Sequence, residues 1–514
     1  MELILIPNIC PPIFWTFICS ILLVIADAFS KKASKVNAVL ATIFLLFIIA
    51  QAVYSLTLPV GMDESGVLTN FLAGMLNFNR VATIFDIIFC IAGLLVAMFS
   101  NEYMSKVYAA HKEYYSLLFF AIFGMMCIAH SNNLIVLFIG IETMSITFYG
   151  LTGFLRNRET AVEGALKYFL LGSFASGFLL YGIAMLYGAT GSMDYTIISE
   201  SIQNMQFMPI YLKLGVALLL IGLLFKVAAF PFHQWAPDVY QAAASPISGF
   251  MSTAGKIAAL SGFIGIASAI MSPNITSIPF TDSIYGIINA IPYVNTMDIE
   301  IPTISLGLTP VTQQMQLLIA IIAALTMLIG NITAVRQTNI KRMLAYSSVG
   351  HAGYMLMGIV ANSVDGISGI LYYSIAYTLT QIGAFAVISI LERKDESCLN
   401  ITDYAGLSKA YPALSAMMAI FMFSLAGIPP FAGFFGKYFI FKAAIESGFT
   451  WLTIVAVFTS IIACYFYLSV IVQMYFRENE SDIILERHTL SKFTVVFAAI
   501  CILIIGVFPL IDIL

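Results

Sequence analysis

The chain has 514 residues, of which 60% are hydrophobic and only 10% are charged, and its formal net charge is −4. Because a soluble domain carries roughly 25% charged residues, a chain with so little charge could not cover a water-facing surface. The composition therefore excludes a soluble globular protein, and a net negative charge without a basic run argues against nucleic-acid binding. The seven cysteines form no CxxC pair and the five histidines show no HExxH spacing, so we predict no metal site.

Apolar runs long enough to cross a bilayer follow one another along the whole chain. A transmembrane helix needs about 20 apolar residues, and hydropathy indicates fourteen such segments. They lie near 11–29, 38–57, 80–99, 114–130, 134–154, 166–188, 213–235, 242–271, 315–333, 342–361, 366–391, 412–446, 450–476 and 490–513. No basic region precedes the first of them, which favours a retained helix over a cleaved signal. We therefore predict an all-α integral membrane protein with about fourteen transmembrane helices.

The distribution of positive charge predicts the orientation of these spans. Loops after the odd-numbered spans carry most of the 23 Lys and Arg residues, whereas the opposite side holds only Arg80, Lys213 and Lys442. Cytoplasmic loops are enriched in Lys and Arg. Both termini are therefore predicted to face away from the cytoplasm, as is the long loop 272–314, which contains no Lys or Arg.

Four predicted spans contain an ionisable residue where lipid disfavours charge. These residues are Glu142 in the fifth span, Lys226 in the seventh, Lys256 in the eighth and Lys437 in the twelfth, with Asp86 in the third as a weaker case. Each costs at least ~2.5 kcal/mol to insert at the bilayer centre, so each requires a reason. Because one glutamate cannot neutralise three lysines, at least one lysine is expected to contact water or to release its proton readily. The set predicts ion transport, most simply of protons; ion pairs that only fasten helices together are the alternative.

Proline interrupts two of these spans close to a lysine. Pro231 follows Lys226 by five residues in KVAAFPFHQW, and Pro429 and Pro430 precede Lys437 in AGIPPFAGFFGK. Proline removes a backbone donor and kinks a helix, and freed backbone at membrane depth must face protein or a water-filled cavity. We therefore predict broken helices at the seventh and twelfth spans, with two unrelated kinks as the alternative.

The spacing of the two predicted breaks indicates an internal repeat. They lie five spans apart, which suggests two five-helix units made of spans 4–8 and 9–13, and an odd number of helices gives consecutive units opposite topology. The predicted organisation is helices 1–3 in residues 1–112, the first unit in 113–271, an extracytoplasmic loop in 272–314, the second unit in 315–476, and a C-terminal loop with helix 14 in 477–514.

Two histidines near the spans are secondary candidates for proton transfer. His233 lies just beyond Pro231, and His351 follows AYSSVG in the tenth span. Histidine can exchange protons because its pKa lies near neutral pH. Either side chain could instead be a hydrogen-bonded packing residue, so both rank below the lysines.

Six stretches carry a resemblance to a known family. They read GIETMSITFYGLTGFLRN, AVEGALKYFLLGSFASGFLLYGIAMLYG, FKVAAFPFHQWAPDVYQAAASPISGFMSTAGKIA, KRMLAYSSVGHAGY, ITDYAGL and FSLAGIPPFAGFFGKYFIF. In this order they resemble the subunit N family of NADH-quinone oxidoreductase (respiratory complex I), whose members are antiporter-like subunits of the membrane arm. The resemblance covers most of the chain between residues of about 140 and 440.

The resemblance implies a fold and a role for each buried charge. It implies a fourteen-helix bundle with two inverted five-helix repeats and discontinuous seventh and twelfth helices. Glu142 would be the modulating glutamate, Lys226 its partner in a first half-channel, Lys256 the connecting lysine and Lys437 the ionisable group of a second half-channel. The chain would then translocate protons as one subunit of a translocase in a bacterial inner membrane.

The resemblance also implies partners that hold the redox chemistry. This chain has no Rossmann glycine pattern, no P-loop and no iron–sulfur cysteine set, so no cofactor is predicted in it. NADH, FMN, iron–sulfur clusters and quinone are expected in partner subunits, and the other membrane-arm subunits are the expected partners. Two alternatives stay open, namely a subunit of a related multi-subunit cation/proton antiporter or membrane-bound hydrogenase, and a non-conducting scaffold.

Overall fold

The computed structural model describes residues 11–29, 33–57, 74–107, 113–205, 209–271, 310–393, 398–478 and 489–509. Throughout these ranges the chain is helical between short turns, and its only β pairing consists of three isolated bridges. Residues 272–309 of the predicted extracytoplasmic loop lie outside the described residues.

The described chain before residue 272 contains eleven helices. They are α1 (Pro12–Phe29), α2 (Ala33–Thr57), α3 (Arg80–Lys106), α4 (Glu113–Ala129), α5 (Leu134–Thr152), α6 (Glu159–Thr190), α7 (Tyr195–Asn204), α8 (Ile210–Val227), α9 (Trp235–Ala242), α10 (Ser245–Phe250) and α11 (Lys256–Met271) within the described residues. A π-helical segment, Met251–Gly255, joins the last two. We call residues 11–271 the N-terminal part.

The described chain after residue 309 contains eight further α-helices. They are α12 (Pro310–Val335), α13 (Ile340–Ala361), α14 (Val364–Leu391), α15 (Leu407–Ala410), α16 (Pro412–Ala426), α17 (Ala432–Glu446), α18 (Thr450–Phe476) and α19 (Thr489–Val507), with a 3-10 turn at Ile401–Tyr404. We call residues 310–509 the C-terminal part.

The helices have the length and the surface of membrane spans. Eleven of those in the described ranges are long and apolar enough to cross a bilayer, and α4 and α16 are shorter apolar helices. Large apolar side chains also cover the outside of the bundle, among them Ile146 (62% exposed), Phe174 (69%) and Ile454 (66%). An exterior of this kind requires lipid or partner protein around it. The all-helical, multi-pass membrane architecture is thus confirmed, and every predicted apolar segment overlaps a helix.

The two parts of the chain meet along their most deeply buried helices. In the helical run Ser245–Met271, which comprises α10, the π-helical segment and α11, 89% of an apolar 18-residue stretch is buried, and in α14 the corresponding share is 94%. Here α10 packs against α14, while α9 packs against α13 and α3 packs against α14. The helix that carries Lys256 therefore lies at the boundary between the two parts.

The first helix break lies between α8 and α9. Pro231 falls in the non-helical turn, and the backbone groups that the break frees find partners inside the protein. The N–H of Phe230 donates to Thr326 Oγ1 of α12 (3.0 Å), and the indole N–H of Trp235 donates to the carbonyl of Phe225 (3.1 Å). These bonds meet the requirement that backbone at membrane depth be satisfied by protein.

The second helix break lies between α16 and α17. Gly427 ends α16 at a φ of +83°, a conformation that glycine adopts without strain, and Pro429 and Pro430 follow in the turn. The N–H of Gly433 donates to Ser424 Oγ (3.2 Å). A Cβ at Gly433 would overlap the carbonyl oxygen of Ser424, so the two half-helices cross closely only because this residue is glycine.

The π-helical segment is a feature that hydropathy did not predict. The eighth predicted span reads as one continuous helix, but Met251–Gly255 adopts π geometry immediately before Lys256. The hydroxyl of Tyr240 donates to the carbonyl of Met251 at 3.3 Å. Such π segments are rare and occur mostly as single turns inside α-helices.

Candidate functional site

Lys226 of α8 and Glu142 of α5 lie near each other. Lys226 occupies the last turn of α8, is 4% exposed, and donates from Nζ to Ser145 Oγ at 2.8 Å. Its Nζ also lies 5.7 Å from the ring centroid of Phe225. Half-buried Glu142 accepts a short hydrogen bond from Ser176 of α6. Because residues three apart share a helix face, Ser145 sits on the same face of α5 as the carboxylate and next to the lysine.

Lys256 spans the boundary between the two parts of the chain. It begins α11, is 3% exposed, and donates from Nζ to Ser348 Oγ of α13 at 2.7 Å. The Tyr240 ring centroid lies 5.7 Å from the same nitrogen. The hydrogen bond joins residues 92 positions apart in the chain, so this lysine connects the N-terminal part to the C-terminal part.

His351 lies one turn beyond Ser348 on the same face of α13. It is 4% exposed, and both ring nitrogens meet tyrosine hydroxyls: Nδ1 lies 2.5 Å from Tyr373 Oη and Nε2 lies 2.9 Å from Tyr467 Oη. Tyr354 lies a further three residues along. Ser348, His351 and Tyr354 therefore form a polar stripe along α13, since a spacing of three residues keeps side chains on one face.

Lys437 is held by the end of the broken helix α16. It is 4% exposed and donates from Nζ to the carbonyls of Leu425 and Ala426 (both 3.1 Å) and to Ser460 Oγ (2.9 Å). The nitrogen also lies 5.0 Å from the ring centroid of Tyr354. The C-terminal end of a helix carries partial negative charge and unpaired carbonyls. The break thus provides an ammonium site built from backbone and hydroxyl oxygens.

These contacts divide the predicted residues into two groups. The polar stripe of α13 brings Lys256, His351 and Lys437 together, because the first lysine bonds its Ser348 end and the last lies beside its Tyr354 end. Glu142 and Lys226 form a separate pair around α5.

Neither His233 nor Asp86 forms a hydrogen bond with either group within the described residues, although His233 lies close enough to Lys256 for an electrostatic interaction. His233, 9% exposed in the turn between α8 and α9, lies against Phe230, and its Nδ1 has no hydrogen-bond partner among the described residues. Fully buried Asp86 pairs with His130 Nε2 at 2.8 Å, and His130 Nδ1 lies 3.0 Å from the carbonyl of Asn77. This pair ties α3 to the turn between α4 and α5.

Sequence reasoning missed several polar residues that the structure buries. Lys341, which the charge pattern assigns to a loop, is 1% exposed and donates to the carbonyl of Ala243 at 2.7 Å. Glu392, at the end of α14, is also 1% exposed. Sequence reasoning also missed Ser348 and Tyr354. For these two residues a signal was available, namely the three-residue spacing of polar groups in SSVGHAGY, which marks one face of an otherwise apolar helix. Within the described ranges, no three or more His, Cys, Asp or Glu side chains converge as a metal site requires.

Known proteins resemble the chain over nearly all of its length. The family described as NADH:quinone oxidoreductase/Mrp antiporter, transmembrane, matches residues 131–299 and 299–463. NADH-quinone oxidoreductase subunit N 1 of Chloroherpeton thalassium is 40% identical over 493 residues, 95% of this chain and 93% of the relative. Subunit N of Trichlorobacter lovleyi is 40% identical over 421 residues, 82% of this chain and 77% of the relative.

Solved structures share the fold. A chain of respiratory complex I from Thermus thermophilus with bound aureothin superimposes with a TM-score of 0.73 at 26% identity, covering 97% of this chain and 98% of that chain. A chain of the Mrp complex from a Dietzia species superimposes with a TM-score of 0.75, covering 98% and 95%. At 18% identity the second likeness concerns the fold alone.

Proposed function

Because the chain belongs to the NADH:quinone oxidoreductase/Mrp antiporter transmembrane family and its relatives are subunits N, we infer that it is the proton-translocating membrane subunit of an NADH-quinone oxidoreductase. It acts as one subunit of a translocase. The observation that carries this function is the presence of three almost fully buried lysines inside an apolar helical bundle, each bonded to a hydroxyl on a neighbouring helix. A lysine buried in a membrane bundle is costly to insert whatever its role, and the presence of three of them therefore favours a function that needs their charge.

Proton transfer runs through Lys226, Lys256 and Lys437 in this proposal. Glu142 biases the charge on Lys226, since a carboxylate nearby favours a charged ammonium. Lys256 passes charge across the boundary between the two parts, and Lys437 exchanges protons with the far side. His351 is the secondary participant that the geometry favours, because it lies on α13 between the contacts that this helix makes with Lys256 and with Lys437.

The polar stripe of α13 supports transfer between Lys256 and Lys437. Serine and tyrosine hydroxyls each donate and accept hydrogen bonds, and neutral histidine does both through its two nitrogens. A proton can therefore pass along such a row when each group rotates or exchanges its partner. The two tyrosine hydroxyls at His351 extend this row towards α14 and α18.

We extend the proposal to the topology of the subunit. Fourteen transmembrane helices form two inverted five-helix repeats, 113–271 and 315–476, with helices 1–3 in 1–112, the loop 272–314 and helix 14 in 477–514. Both termini face away from the cytoplasm of a bacterial inner membrane. The two interrupted helices, with Pro231 in one and the Pro429–Pro430 pair in the other, support this arrangement.

The redox chemistry lies in partner subunits in this proposal. NADH, FMN, iron–sulfur clusters and quinone are bound there, and the neighbouring membrane-arm subunits complete the proton path. This assignment follows the relatives, whose names specify NADH-quinone oxidoreductase. The likeness to the Mrp complex, which concerns the fold alone, does not favour an independent antiporter.

The test measures proton pumping by the whole complex in sealed vesicles, together with electron-transfer rate and assembly. Lys226→Ala is compared with Lys213→Ala, which removes an exposed lysine from the other end of the same helix. We expect the assembled Lys226→Ala complex to lose pumping together with most of its turnover, and Lys213→Ala to match the wild type. Normal pumping by assembled Lys226→Ala would replace this function with that of a non-conducting scaffold.

A further inference from the structure

We propose that Glu392 and Lys341 form a junction clamp, which positions the helix carrying Lys256 from across the boundary between the two parts of the chain. The inference deepens the proposed function and rests on the role that it assigns to Lys256. The clamp residues come from the C-terminal part, whereas the segment that they hold belongs to the N-terminal part. They are positioning residues, because they act on Lys256 through the helix that carries it.

The clamp holds the short junction between α9 and α10. Ala243, Ala244 and Ser245 have no exposed surface. Lys341 donates from Nζ to the carbonyl of Ala243 at 2.7 Å, and Ser245 donates a short hydrogen bond to the carboxylate of Glu392. A cation therefore holds one end of this three-residue segment and an anion holds the other.

The carboxylate of Glu392 is itself fixed by two further elements. Tyr103 of α3 donates from its hydroxyl to Oε1 at 2.9 Å, and Arg158, before α6, forms an ion pair with the same oxygen at 3.5 Å. Lys106 of α3 donates to the carbonyl of Ile390 at 3.1 Å, two residues before the glutamate. The end of α14 therefore cannot move relative to α3 and α6 without breaking charged hydrogen bonds.

Arg342 adds a second contact at the same end of the molecule. Its guanidinium donates to Asp238 (2.7 Å) and Gln241 (2.9 Å), both on α9. This interaction is partly exposed, with 29% of the arginine side chain accessible. Exposed ion pairs contribute little, so the buried bonds made by Lys341 and Glu392 are the ones that hold the junction.

The position of Ser245 determines the position of Lys256 because one helical run joins them. A helix rises 1.5 Å per residue, so the lysine lies roughly 16 Å along the axis from the clamp. The π-helical segment Met251–Gly255 lies between them and is followed directly by the lysine. A shift or rotation at Ser245 would therefore move the lysine relative to Ser348, its hydrogen-bond partner on α13.

Two substitutions weaken the clamp to different degrees. Glu392→Gln keeps the shape of the side chain but removes its negative charge, which weakens the ion pair with Arg158. It also replaces one acceptor oxygen with an NH2 donor, so only one of Tyr103 and Ser245 can still donate to the side chain. Ser245→Ala removes one hydroxyl and leaves the charge with its other partners, which makes it the milder variant. Ser261→Ala is the matched control, because this buried serine on α11 donates to the Ala258 carbonyl of its own helix.

The measurement is proton pumping by the whole complex in sealed vesicles, normalised to assembled complex. We expect Glu392→Gln to lower the pumping rate by about tenfold, because it removes the charge that Tyr103, Ser245 and Arg158 all contact. Ser245→Ala removes only one of these contacts and is expected to lower the rate by roughly threefold. Ser261→Ala is expected to pump like the wild type. If Glu392→Gln does not assemble, Ser245→Ala decides the matter.

A double-mutant comparison separates positioning from general weakening. Each clamp variant is combined with Lys256→Arg, which keeps the charge but changes the geometry. A clamp that acts through the lysine gives combined losses smaller than the product of the single losses, whereas independent weakening gives the full product. The clamp would be overturned if the combined loss of pumping equalled the product of the single losses, or if both assembled clamp variants pumped like the wild type. Either result would leave the proposed function intact. Normal pumping by Lys256→Ala would overturn both.

Discussion

Removal of the Lys437 ammonium is predicted to destabilise the broken helix as well as to stop proton transfer. The ammonium makes three hydrogen bonds, two of them to the carbonyls that end α16. Lys437→Met replaces it with an apolar side chain of similar length. The two carbonyls would then face an apolar side chain at a buried site. Among the described residues, the Ala426 carbonyl would keep only the long contacts from Ser460 Oγ (3.5 Å) and Cys464 Sγ (3.9 Å) of α18.

The size of the effect follows from the number of lost partners. A buried polar group left without its hydrogen bond costs about 1–3 kcal/mol, so the two carbonyls together cost on the order of 2–6 kcal/mol. The Ser460 hydroxyl keeps a contact to the Ala426 carbonyl and is not counted. Partial hydration of the break would bring the loss towards the lower end. Lys437→Arg keeps a cationic donor and is expected to recover part of the stability, although a guanidinium is larger than an ammonium.

In the assay the purified complex is heated, and the temperature at which this subunit unfolds and aggregates is measured. Lys442→Met is the matched control, since it removes a half-exposed lysine five residues later on the same helix. We expect Lys437→Met to lose stability relative to that control and Lys437→Arg to lie between them. If Lys437→Met were as stable as Lys442→Met, the carbonyls would not depend on the ammonium, and the stabilising role of Lys437 at the helix break would be refuted.

Three further substitutions test the packing and the proton path. Gly433→Ala places a methyl group against the end of α16 and is expected to cost about 1–3 kcal/mol, which lowers the yield of assembled complex. Ser145→Ala removes the hydroxyl partner of Lys226 and is expected to slow pumping about tenfold. In His351→Gln the amide lacks the two ring nitrogens with which the imidazole contacts the hydroxyls of Tyr373 and Tyr467. Pumping by the assembled complex is therefore expected to fall about tenfold as well.

Each of these changes has a comparison that shares its chemistry. Gly177→Ala adds a methyl group to an open position on α6 and should assemble normally. Thr143→Ala removes a hydroxyl that donates to the Ile139 carbonyl of its own helix. His233→Gln changes a histidine that forms no hydrogen bond to the polar stripe of α13, so its effect should be the smaller one. Equal effects within any of the three comparisons would contradict the role proposed for the more deeply involved residue.

Much of the architecture could be predicted because hydropathy is a property of each segment of the chain. Every predicted apolar segment overlaps a helix, and the helices are interrupted next to Pro231 and at the Pro429–Pro430 pair. Proline breaks a helix through its own covalent structure, so its effect needs no knowledge of neighbours. The lysines at 226, 256 and 437 were recognisable for the same reason, since a charge within an apolar run is visible in one dimension.

The sequence by itself therefore determined the helical membrane fold, the two interrupted helices and the presence of buried lysines, while only the tertiary structure decided what those lysines touch. Lys256 bonds a serine 92 residues away, and Tyr103 bonds Glu392 across 289 residues. Local periodicity says which face of a helix is polar but not which other helix meets it. Lys341 and Glu392 stand at the ends of spans, where the same residue can face water or be buried, and only the packing of the surrounding helices decides between the two.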